Sequence, residues 1–356
     1  MHEQRLHALR RSMSHASLDG LLVTHLPHVR YLTGFSGSNG LCIITRRSQC
    51  FITDTRYRDQ AKSEVKHFRI VTSRNSLFEA AAQEPAMARR MRLGFDSKHL
   101  SVAGWQSLKK HLRRIALVPT ESFVDGLASI KDDSEIASIR RAVRISDEVF
   151  SLIIHLLKPG LSELDVAAEI GYLHRKLGAE ADAFEPIVAS GPRAAWPHAR
   201  ASAKRIRSGE VVILDFGCRV NGYNSDCTRT VAVGRPSVRM RKVHQIVLDA
   251  QLRAVDAARG RIAARTLDAV ARSYIKKMGY GKFFPHSLGH GLGLEVHEAP
   301  RISSLSKDFI QPGNVVTIEP GVYMPGLGGV RIEDAIIIRE DDCSVLNRSP
   351  KELLML

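Results

Sequence analysis

The chain has 356 residues, which is too long for one small core and predicts two domains. Its apolar fraction of 44% and charged fraction of 25% are typical of a soluble globular protein. The net charge of +15 is compatible with an acidic or nucleic-acid partner, but the basic residues are spread out and lack interleaved aromatic residues. We therefore expect a solvated basic surface and no nucleic-acid partner.

The N-terminal segment and the cysteines indicate the cellular compartment. The first 16 residues contain no apolar core of an export signal, and no stretch of the chain approaches the roughly 20 apolar residues of a membrane span. The 5 cysteines are scattered and form no Cys-x-x-Cys pair, which argues against a disulfide framework or a thiolate zinc site. We expect a cytoplasmic protein with reduced thiols and no membrane partner.

Helices and strands alternate in the first third of the chain. We predict an amphipathic helix over residues 1 to about 18, a turn into a buried strand over 18–24, strands at 41–44 and 51–54, and a helix at 57–64. The segment 31–40 is rich in Gly and Ser and predicts a loop between strands. This pattern indicates an α/β domain over residues 1–125, and because it contains no phosphate-binding fingerprint we assign it no catalytic chemistry.

A predicted linker over residues 126–134 leads into a second domain at 135–356. Asp132, Asp133 or Ser134 can cap a long helix that ends at Lys158-Pro159-Gly160. The Ser-x-x-Asp spacing of 162–165 predicts the start of another helix, which runs over 166–177. Short apolar strands follow, interrupted by predicted helices at about 238–259 and 266–278.

Two acidic residues are expected to share one face of a hairpin. Asp215 lies near the end of the apolar strand 211–217, and Asn221-Gly222 predicts a two-residue turn a few residues later. If Val220 faces Tyr223 across that turn, Asp215 lies opposite Thr228 and Asp226 is its diagonal neighbour. Two carboxylates so placed repel each other unless a cation or a shared proton lies between them.

Two further acids belong to similar apolar segments. Glu319 ends the predicted strand 315–321, and Glu333 is predicted to lie within a strand over 330–338. His290 is the central imidazole of the segment 286–298, which holds three histidines. Oxygen-rich ligation with one nitrogen suits two divalent cations such as Mn²⁺, Co²⁺ or Fe²⁺ better than a structural zinc, and two such ions can activate a water molecule.

Other catalytic motifs are absent from the sequence. The segment 297–301 lacks the second histidine of His-Glu-x-x-His, which excludes a helical single-zinc site. Gly289-x-Gly291-x-Gly293 does not fit the dinucleotide fingerprint, and the chain has no Gly-x-Ser-x-Gly elbow.

With these residues in hand, the sequence resembles the creatinase/aminopeptidase family of pita-bread (M24-type) metallopeptidases, and within it the Xaa-Pro peptidases, aminopeptidase P and prolidase. The resemblance rests on five motifs in the family order, and Tyr-Leu-Thr-Gly-Phe at 31–35 matches the family's smaller N-terminal domain. The five motifs are His286–Glu298, Leu214–Gly217, Ser225–Thr230, Thr317–Gly321 and Arg331–Asp334. The resemblance implies an α+β fold, with a pita-bread catalytic domain preceded by a creatinase-like α/β domain.

The resemblance also implies a role for each candidate residue. Asp226 and Glu333 would bridge two metal ions, Asp215 would complete one ion's site, and His290 with Glu319 would complete the other. A hydroxide between the ions would attack the carbonyl that precedes proline. The residues expected to orient the substrate, stabilise the oxyanion, transfer protons or hold the carboxylate ligands are His198, His286, His297, Glu319 and Arg331. For Arg331 we expect a bidentate pair with a carboxylate.

The function implied by the resemblance is removal of an N-terminal residue that precedes proline, with Mn²⁺ as the expected metal and Co²⁺, Fe²⁺ or Zn²⁺ as alternatives. The sequence leaves open whether dipeptides or longer peptides are cleaved. A homodimer is expected by the same resemblance. The alternatives are a related peptidase such as a methionine aminopeptidase, against which the long N-terminal domain argues, and a catalytically silent pita-bread adaptor that binds acidic partners or nucleic acid.

Overall fold

The computed structural model describes residues 2–87 and 90–356 of the chain. The chain divides into two compact units, residues 1–128 and 129–356. The helix Phe123–Ala128 extends into the expected linker at 126–134, so the domain limits taken from the sequence stay predictions. Within the described residues, no helix is long and apolar enough to cross a membrane.

The first unit contains a mixed sheet of six strands within its described residues. In spatial order the strands are Arg69–Ser73, Gln49–Asp54, Gly40–Thr45, Gly20–Val23, Arg92–Asp96 and Ala116–Thr120. The helices are His2–His15, Leu26–Thr33, Arg58–Glu64, Leu77–Ala82, Val102–His111 and Phe123–Ala128, with a 3-10 turn at Thr55–Tyr57. This arrangement confirms the predicted α/β character of the N-terminal domain.

One expectation for this unit is wrong. The segment predicted as a loop at 31–40 begins inside the helix Leu26–Thr33, which has proline in its first turn and ends at Gly34 in a left-handed conformation with φ of 82°. Proline in the first turn of a helix and glycine just after its end are typical helix boundary residues, and Pro27 and Gly34 occupy these positions. Residues 34–39 form the predicted loop before the strand Gly40–Thr45, whereas the helix before them was not predicted.

The second unit is built from two helix pairs and several short sheets. The helices are Asp133–Leu156, Glu163–Lys176, Val238–Ala257 and Ala264–Lys277, with 3-10 turns at Gly191–Ala195 and Gly281–Phe283. Asp132 and Ser162 cap the first two helices through capping boxes. The cap at Ser162 confirms the predicted spacing, and Asp132 is the one of the three candidate caps that is used.

The strands of the second unit form four sheets within the part of the chain that the structure describes. One three-stranded sheet has the spatial order Cys227–Val233, Glu210–Phe216 and Ile187–Ser190. A second three-stranded sheet has the order Tyr223–Asn224, Cys218–Val220 and Ala181–Asp182. A five-stranded sheet orders Glu298–Ile302, Gly289–Gly291, Val315–Ile318, Asp334–Ile338 and Cys343–Val345, and a two-stranded sheet pairs Gly321–Met324 with Gly328–Arg331.

The strand Glu210–Phe216 has a hydrophobic cluster on each face. Val211 and Ile213 pack with the helices Val238–Ala257 and Ala264–Lys277. Val212 and Leu214 pack instead with the other helix pair. Alternate side chains of a strand point to opposite faces, so Asp215 continues the face of Val211 and Ile213 as a buried acid among apolar residues.

Candidate metal centre

The hairpin after strand Glu210–Phe216 brings Asp215 and Asp226 together. Asn221 and Gly222 both have positive φ, 51° and 84°, which is the backbone that a two-residue type I′ turn needs. Val220 pairs with Tyr223, and Asp215 pairs with Thr228. This register confirms the pairing predicted from the Asn-Gly dipeptide and leaves both acids buried.

His290 and Glu319 form an ion pair at the end of two adjacent strands. Gly289–Gly291 pairs with Val315–Ile318, and a side chain at Gly289 would collide with the backbone of Thr317. Glu319 follows directly after its strand and its Oε1 lies 3.2 Å from Nε2 of His290. The glycine is therefore required for the close approach of the strands that carry the imidazole and the acid.

Glu333 lies between two strands, and the prediction that it lies within one strand is wrong. Gly328–Arg331 pairs in one sheet and Asp334–Ile338 in another, so the chain changes sheets at Ile332 and Glu333. The apolar run around it concealed this break. Glu333 is held by its backbone N–H, which donates to Thr228 O over 3.1 Å, and by the Thr228 hydroxyl, which donates to Oε2 over 2.7 Å.

All nine predicted site residues line one cavity of about 590 Å³. They are His198, Asp215, Asp226, His286, His290, His297, Glu319, Arg331 and Glu333. One ligand atom from each of Asp226, His290 and Glu333 lies within 4.8 Å of the others. Residues separated by more than a hundred positions in the sequence therefore meet in one place.

The buried carboxylates of this cavity hold more negative charge than the surrounding protein neutralises. Burial, followed by the negative charges of Glu333 and Asp215, raises the pKa of Asp226 well above its ordinary value. Burial and the charge of Glu319 raise the pKa of Glu333 to about 8. Oδ1 of Asp215 and Oε1 of Glu333 are buried without a hydrogen-bond partner in the described chain. Such oxygens, with one imidazole, are a donor set that suits divalent cations.

His290 and Glu319 stabilise each other's charged forms. Burial opposes the charge of His290, but the hydrogen bond with Glu319 raises its pKa to about 9. Burial likewise opposes ionisation of Glu319, but His290 lowers the pKa of that carboxyl to about 2. A cation at this position would take the place of the proton on the imidazole.

Arg331 organises one wall of the cavity. Its Nη2 donates to Oδ2 of Asp215, its Nη1 donates to the hydroxyl of Tyr323 over 2.7 Å, and its Nε donates to Thr228 Oγ1 over 3.1 Å. A single guanidinium nitrogen contacts the Asp215 carboxylate, so the expected bidentate pair is not formed. The guanidinium instead connects four neighbours, the fourth being the carbonyl of Pro197 at 3.1 Å from Nη1, and it fixes the orientation of Asp215.

The remaining histidines lie beside the carboxylates. His286 Nε2 is 2.9 Å from the hydroxyl of Tyr323, and burial lowers the pKa of this imidazole. The ring of His297 is 4.3 Å from that of His290, and burial together with the charge of His290 lowers its pKa too. His198 is exposed on the cavity wall next to Pro197. His286 and His297 thus favour the neutral form, which can donate one N–H and accept at the other nitrogen.

Several residues that hold the site were missed in the sequence. Asp268 accepts two hydrogen bonds from Arg272 and one from the backbone N–H of Leu288, while Arg272 also donates to the carbonyl of His286 over 2.7 Å. Tyr323 and Thr228 were missed as well. Thr228 falls inside the Ser225–Thr230 motif, and its predicted position opposite Asp215 could have identified it as part of the site. No feature of the sequence indicated Tyr323 or Asp268.

Comparisons with known proteins agree with this geometry. Residues 137–340 match the model of metallopeptidase family M24, and residues 5–130 match that of the creatinase/prolidase N-terminal domain. The chain belongs to metallopeptidase family M24. Its fold is the family's pita-bread catalytic domain preceded by a creatinase-type N-terminal domain, as the sequence predicts.

Relatives of this M24 metallopeptidase match over its whole length. An uncharacterized peptidase, YqhT, of Bacillus subtilis is 43% identical and covers 99% of this chain and 100% of its own. The Xaa-Pro dipeptidase of Pyrococcus furiosus is 37% identical, again over 99% and 100% of the two chains. The solved Xaa-Pro dipeptidase from Bacillus anthracis is 40% identical over 100% of both chains, with a TM-score of 0.97.

A further solved structure carries a different activity in its name. The X-Pro aminopeptidase from Thermotoga maritima is 34% identical, covers 96% of this chain and 98% of its own, and has a TM-score of 0.89. The relatives therefore include proteins named for dipeptides and a protein named as an aminopeptidase, both with proline as the second residue.

Proposed function

We propose that this M24 metallopeptidase is a dinuclear metal-dependent exopeptidase that hydrolyses the bond between an N-terminal residue and a following proline. The observation that carries the proposal is the meeting of four carboxylates and one imidazole in a single cavity, two of whose buried carboxylate oxygens have no partner among the described residues. The names of the full-length relatives support proline as the second residue.

In this proposal the metal ligands are Asp215, Asp226, His290, Glu319 and Glu333. Asp226 and Glu333 would hold both ions, and Mn²⁺ is the proposed metal, with Co²⁺, Fe²⁺ or Zn²⁺ as alternatives. When bound, such a pair of ions lowers the pKa of a coordinated water and polarises the scissile carbonyl.

The side chains around the ligands have separate tasks. Arg331 holds the carboxylate of Asp215, so that this ligand does not rotate away when a substrate enters. Glu319 accepts a proton from the attacking water. His286 and His297 favour their neutral forms and can donate an N–H to the developing oxyanion or to the substrate backbone. His198 belongs to an earlier segment of the chain than the other two histidines, and it also contacts the substrate.

The cavity offers both apolar and cationic surface to the part of the substrate that follows the cleaved bond. Phe184, Ile187 and Val296 line it and suit the apolar ring of proline. Arg301 lines it as well and would attract a free carboxylate, which a dipeptide carries on the proline itself. This cation favours dipeptides over longer peptides as substrates. A homodimer stays a prediction.

A substrate series with metal analysis tests the proposal. Purified protein with measured Mn²⁺ content is assayed with an Xaa-Pro dipeptide, an Xaa-Pro-Yaa tripeptide and an Xaa-Ala dipeptide. We expect the Xaa-Pro dipeptide to be cleaved with the highest kcat/KM, with activity lost in chelator and restored by Mn²⁺. Faster cleavage of the Xaa-Ala dipeptide would contradict the assignment to proline.

One outcome would favour the alternative function. A protein that carries its metal but cleaves no Xaa-Pro peptide with Mn²⁺ or Co²⁺, and that binds nucleic acid in a salt-sensitive way, would be a silent adaptor.

Replacing Arg301 by Gln separates the substrate classes, because it should raise KM for the dipeptide and leave that for the tripeptide nearly unchanged.

A further inference from the structure

The first unit contains a second group of metal-ligating side chains, to which the sequence analysis assigned no chemistry. His28 belongs to the helix Leu26–Thr33, Asp96 ends the strand Arg92–Asp96, and Asp125 belongs to the helix Phe123–Ala128. The His28 side chain is 5% exposed, and one ligand atom from each of the three residues lies within 4.8 Å of the others. Three separate elements thus bring potential metal ligands close together.

Asp96 and Asp125 face opposite nitrogens of the His28 imidazole, at distances longer than a hydrogen bond. Nδ1 of His28 is 3.5 Å from Oδ2 of Asp96, and Nε2 of His28 is 3.7 Å from Oδ1 of Asp125. Charge-assisted hydrogen bonds between nitrogen and oxygen span about 2.7–2.9 Å. One ion binds only one nitrogen of an imidazole. Ligand atoms around a tetrahedral Zn²⁺, with bonds of about 2.0–2.1 Å, lie roughly 3.3–3.4 Å apart, which is close to the distance between Nδ1 of His28 and Oδ2 of Asp96.

Two buried polar atoms of the group have no hydrogen-bond partner within the described residues. They are Nδ1 of His28 and Oδ2 of Asp125. A buried polar atom without a partner is energetically costly, so it is uncommon in a structural ion pair. A ligand that binds here would remove that cost for both atoms.

Two more imidazoles lie against His28. The rings of His25 and His99 are stacked with centroids 3.6 Å apart, and the ring of His25 is 4.6 Å from that of His28. Nε2 of His99 is 3.8 Å from Oδ2 of Asp96. Imidazole nitrogen with carboxylate oxygen is the donor set of Zn²⁺ and Co²⁺ sites, whereas Ca²⁺ and Mg²⁺ prefer oxygen alone.

We propose that His28, Asp96 and Asp125 form a divalent metal site in the N-terminal domain, with His99 beside Asp96, and that Zn²⁺ is the cation that fits it. Three protein ligands leave one position of a tetrahedral ion open. The site shares no residue with the candidate centre of the second unit, and it does not depend on the proposed peptidase activity.

The test uses the full chain with the other centre disabled. Asp226→Asn combined with Glu333→Gln removes the two shared carboxylates, and this double variant is stripped of metal and titrated with Zn²⁺ and, separately, with Co²⁺. We expect one tightly bound ion per chain and a Co²⁺ visible spectrum that indicates nitrogen and oxygen ligands. Fewer than one bound ion per chain would overturn the proposal.

Two further substitutions in that background locate the ion. Asp125→Asn keeps the shape of the side chain and should weaken Zn²⁺ binding by more than the roughly 10–100-fold that loss of an outer partner costs. His28→Gln should abolish binding, while the control His7→Gln, an exposed residue of the same unit, should leave it unchanged. Zn²⁺ affinity and Co²⁺ spectra that are unaltered in both Asp125→Asn and His28→Gln would place the ion elsewhere and overturn the assignment.

Discussion

The hydroxyl of Thr228 donates a 2.7 Å hydrogen bond to Oε2 of Glu333, a residue 105 positions away in the sequence. The hydroxyl oxygen of Thr228 also accepts a hydrogen bond from Nε of Arg331 over 3.1 Å. One buried hydroxyl therefore orients a proposed shared metal ligand and the arginine that holds Asp215.

Replacing Thr228 by Val preserves the shape of the side chain but removes this hydroxyl. Glu333 then loses the partner that orients it, so we expect Mn²⁺ affinity to fall by about 10–100-fold and kcat/KM to fall with it. Titration of metal-free protein with Mn²⁺ measures the effect. Thr228→Ser restores the hydroxyl and should recover most of the affinity; equal affinities for the Val variant and the parent would show that the hydrogen bond has no orienting role.

Glu333→Gln should stabilise the metal-free protein. Burial and the charge of Glu319 raise the pKa of Glu333 to about 8, above its unfolded value of about 4.3. The parent therefore loses stability as the pH rises through this range, because the charge is disfavoured in the folded state. Since Gln does not ionise, we expect the variant to be more stable by about 1 kcal/mol or more at pH 9 in chelator.

Urea unfolding in chelator and in saturating Mn²⁺ provides the comparison. In Mn²⁺ the order should reverse, because the variant has lost a ligand and gains less from binding. A parent protein that is the more stable of the two in chelator at pH 9 would argue against excess negative charge in the cavity.

Asp268→Asn should destabilise the second unit strongly. Asp268 is fully buried and accepts from Arg272 and from the backbone of Leu288. The substitution removes the negative charge that pairs with the partly buried guanidinium of Arg272, which costs roughly 3 kcal/mol. Asp342→Asn, which breaks an exposed pair with Arg339, is the matched control and should cost less than about 1 kcal/mol in the same urea unfolding experiment. Similar losses for the two variants would contradict this account.

His244 should make the protein acid-sensitive. It is 2% exposed in the helix Val238–Ala257, and burial lowers its pKa to about 4, below the unfolded value of about 6.5. Its contribution to stability is present above pH 6.5 and is lost as the pH falls through 4, with a total of roughly 3 kcal/mol. Stability measured from pH 4 to 7 should depend less on pH in His244→Gln, whereas a His155→Gln control, at an exposed position, should keep the slope of the parent.

The parts of the centre that could be predicted were those fixed by local backbone chemistry. Asn221-Gly222 determined the turn, the turn determined the register, and the register placed Asp215 opposite Thr228. Likewise, the sequence predicts a helix cap at Asp132, Asp133 or Ser134, and in the structure Asp132 is the cap. These preferences depend on a few neighbouring residues, so contacts with distant segments do not alter them.

The parts that could not be predicted depend on contacts between distant segments. The apolar pattern around Glu333 continues through the change of sheets, because both neighbouring strands are buried. Tyr323 reaches Arg331 and His286 only after its strand pairs with Gly328–Arg331. In the sequence Asp268 looks like an ordinary helix residue. Only in the folded protein does Arg272 connect it to the backbone carbonyl of His286.

The metal content of the variant that lacks both shared carboxylates tests the central claim most directly. Parent protein and the double variant Asp226→Asn, Glu333→Gln are loaded with Mn²⁺ under the same conditions, and bound metal and Xaa-Pro dipeptide hydrolysis are measured on the same samples. We predict that the variant binds two fewer ions per chain than the parent and has no measurable hydrolysis. Equal metal content in the two proteins, or hydrolysis retained by the double variant, would contradict the dinuclear centre.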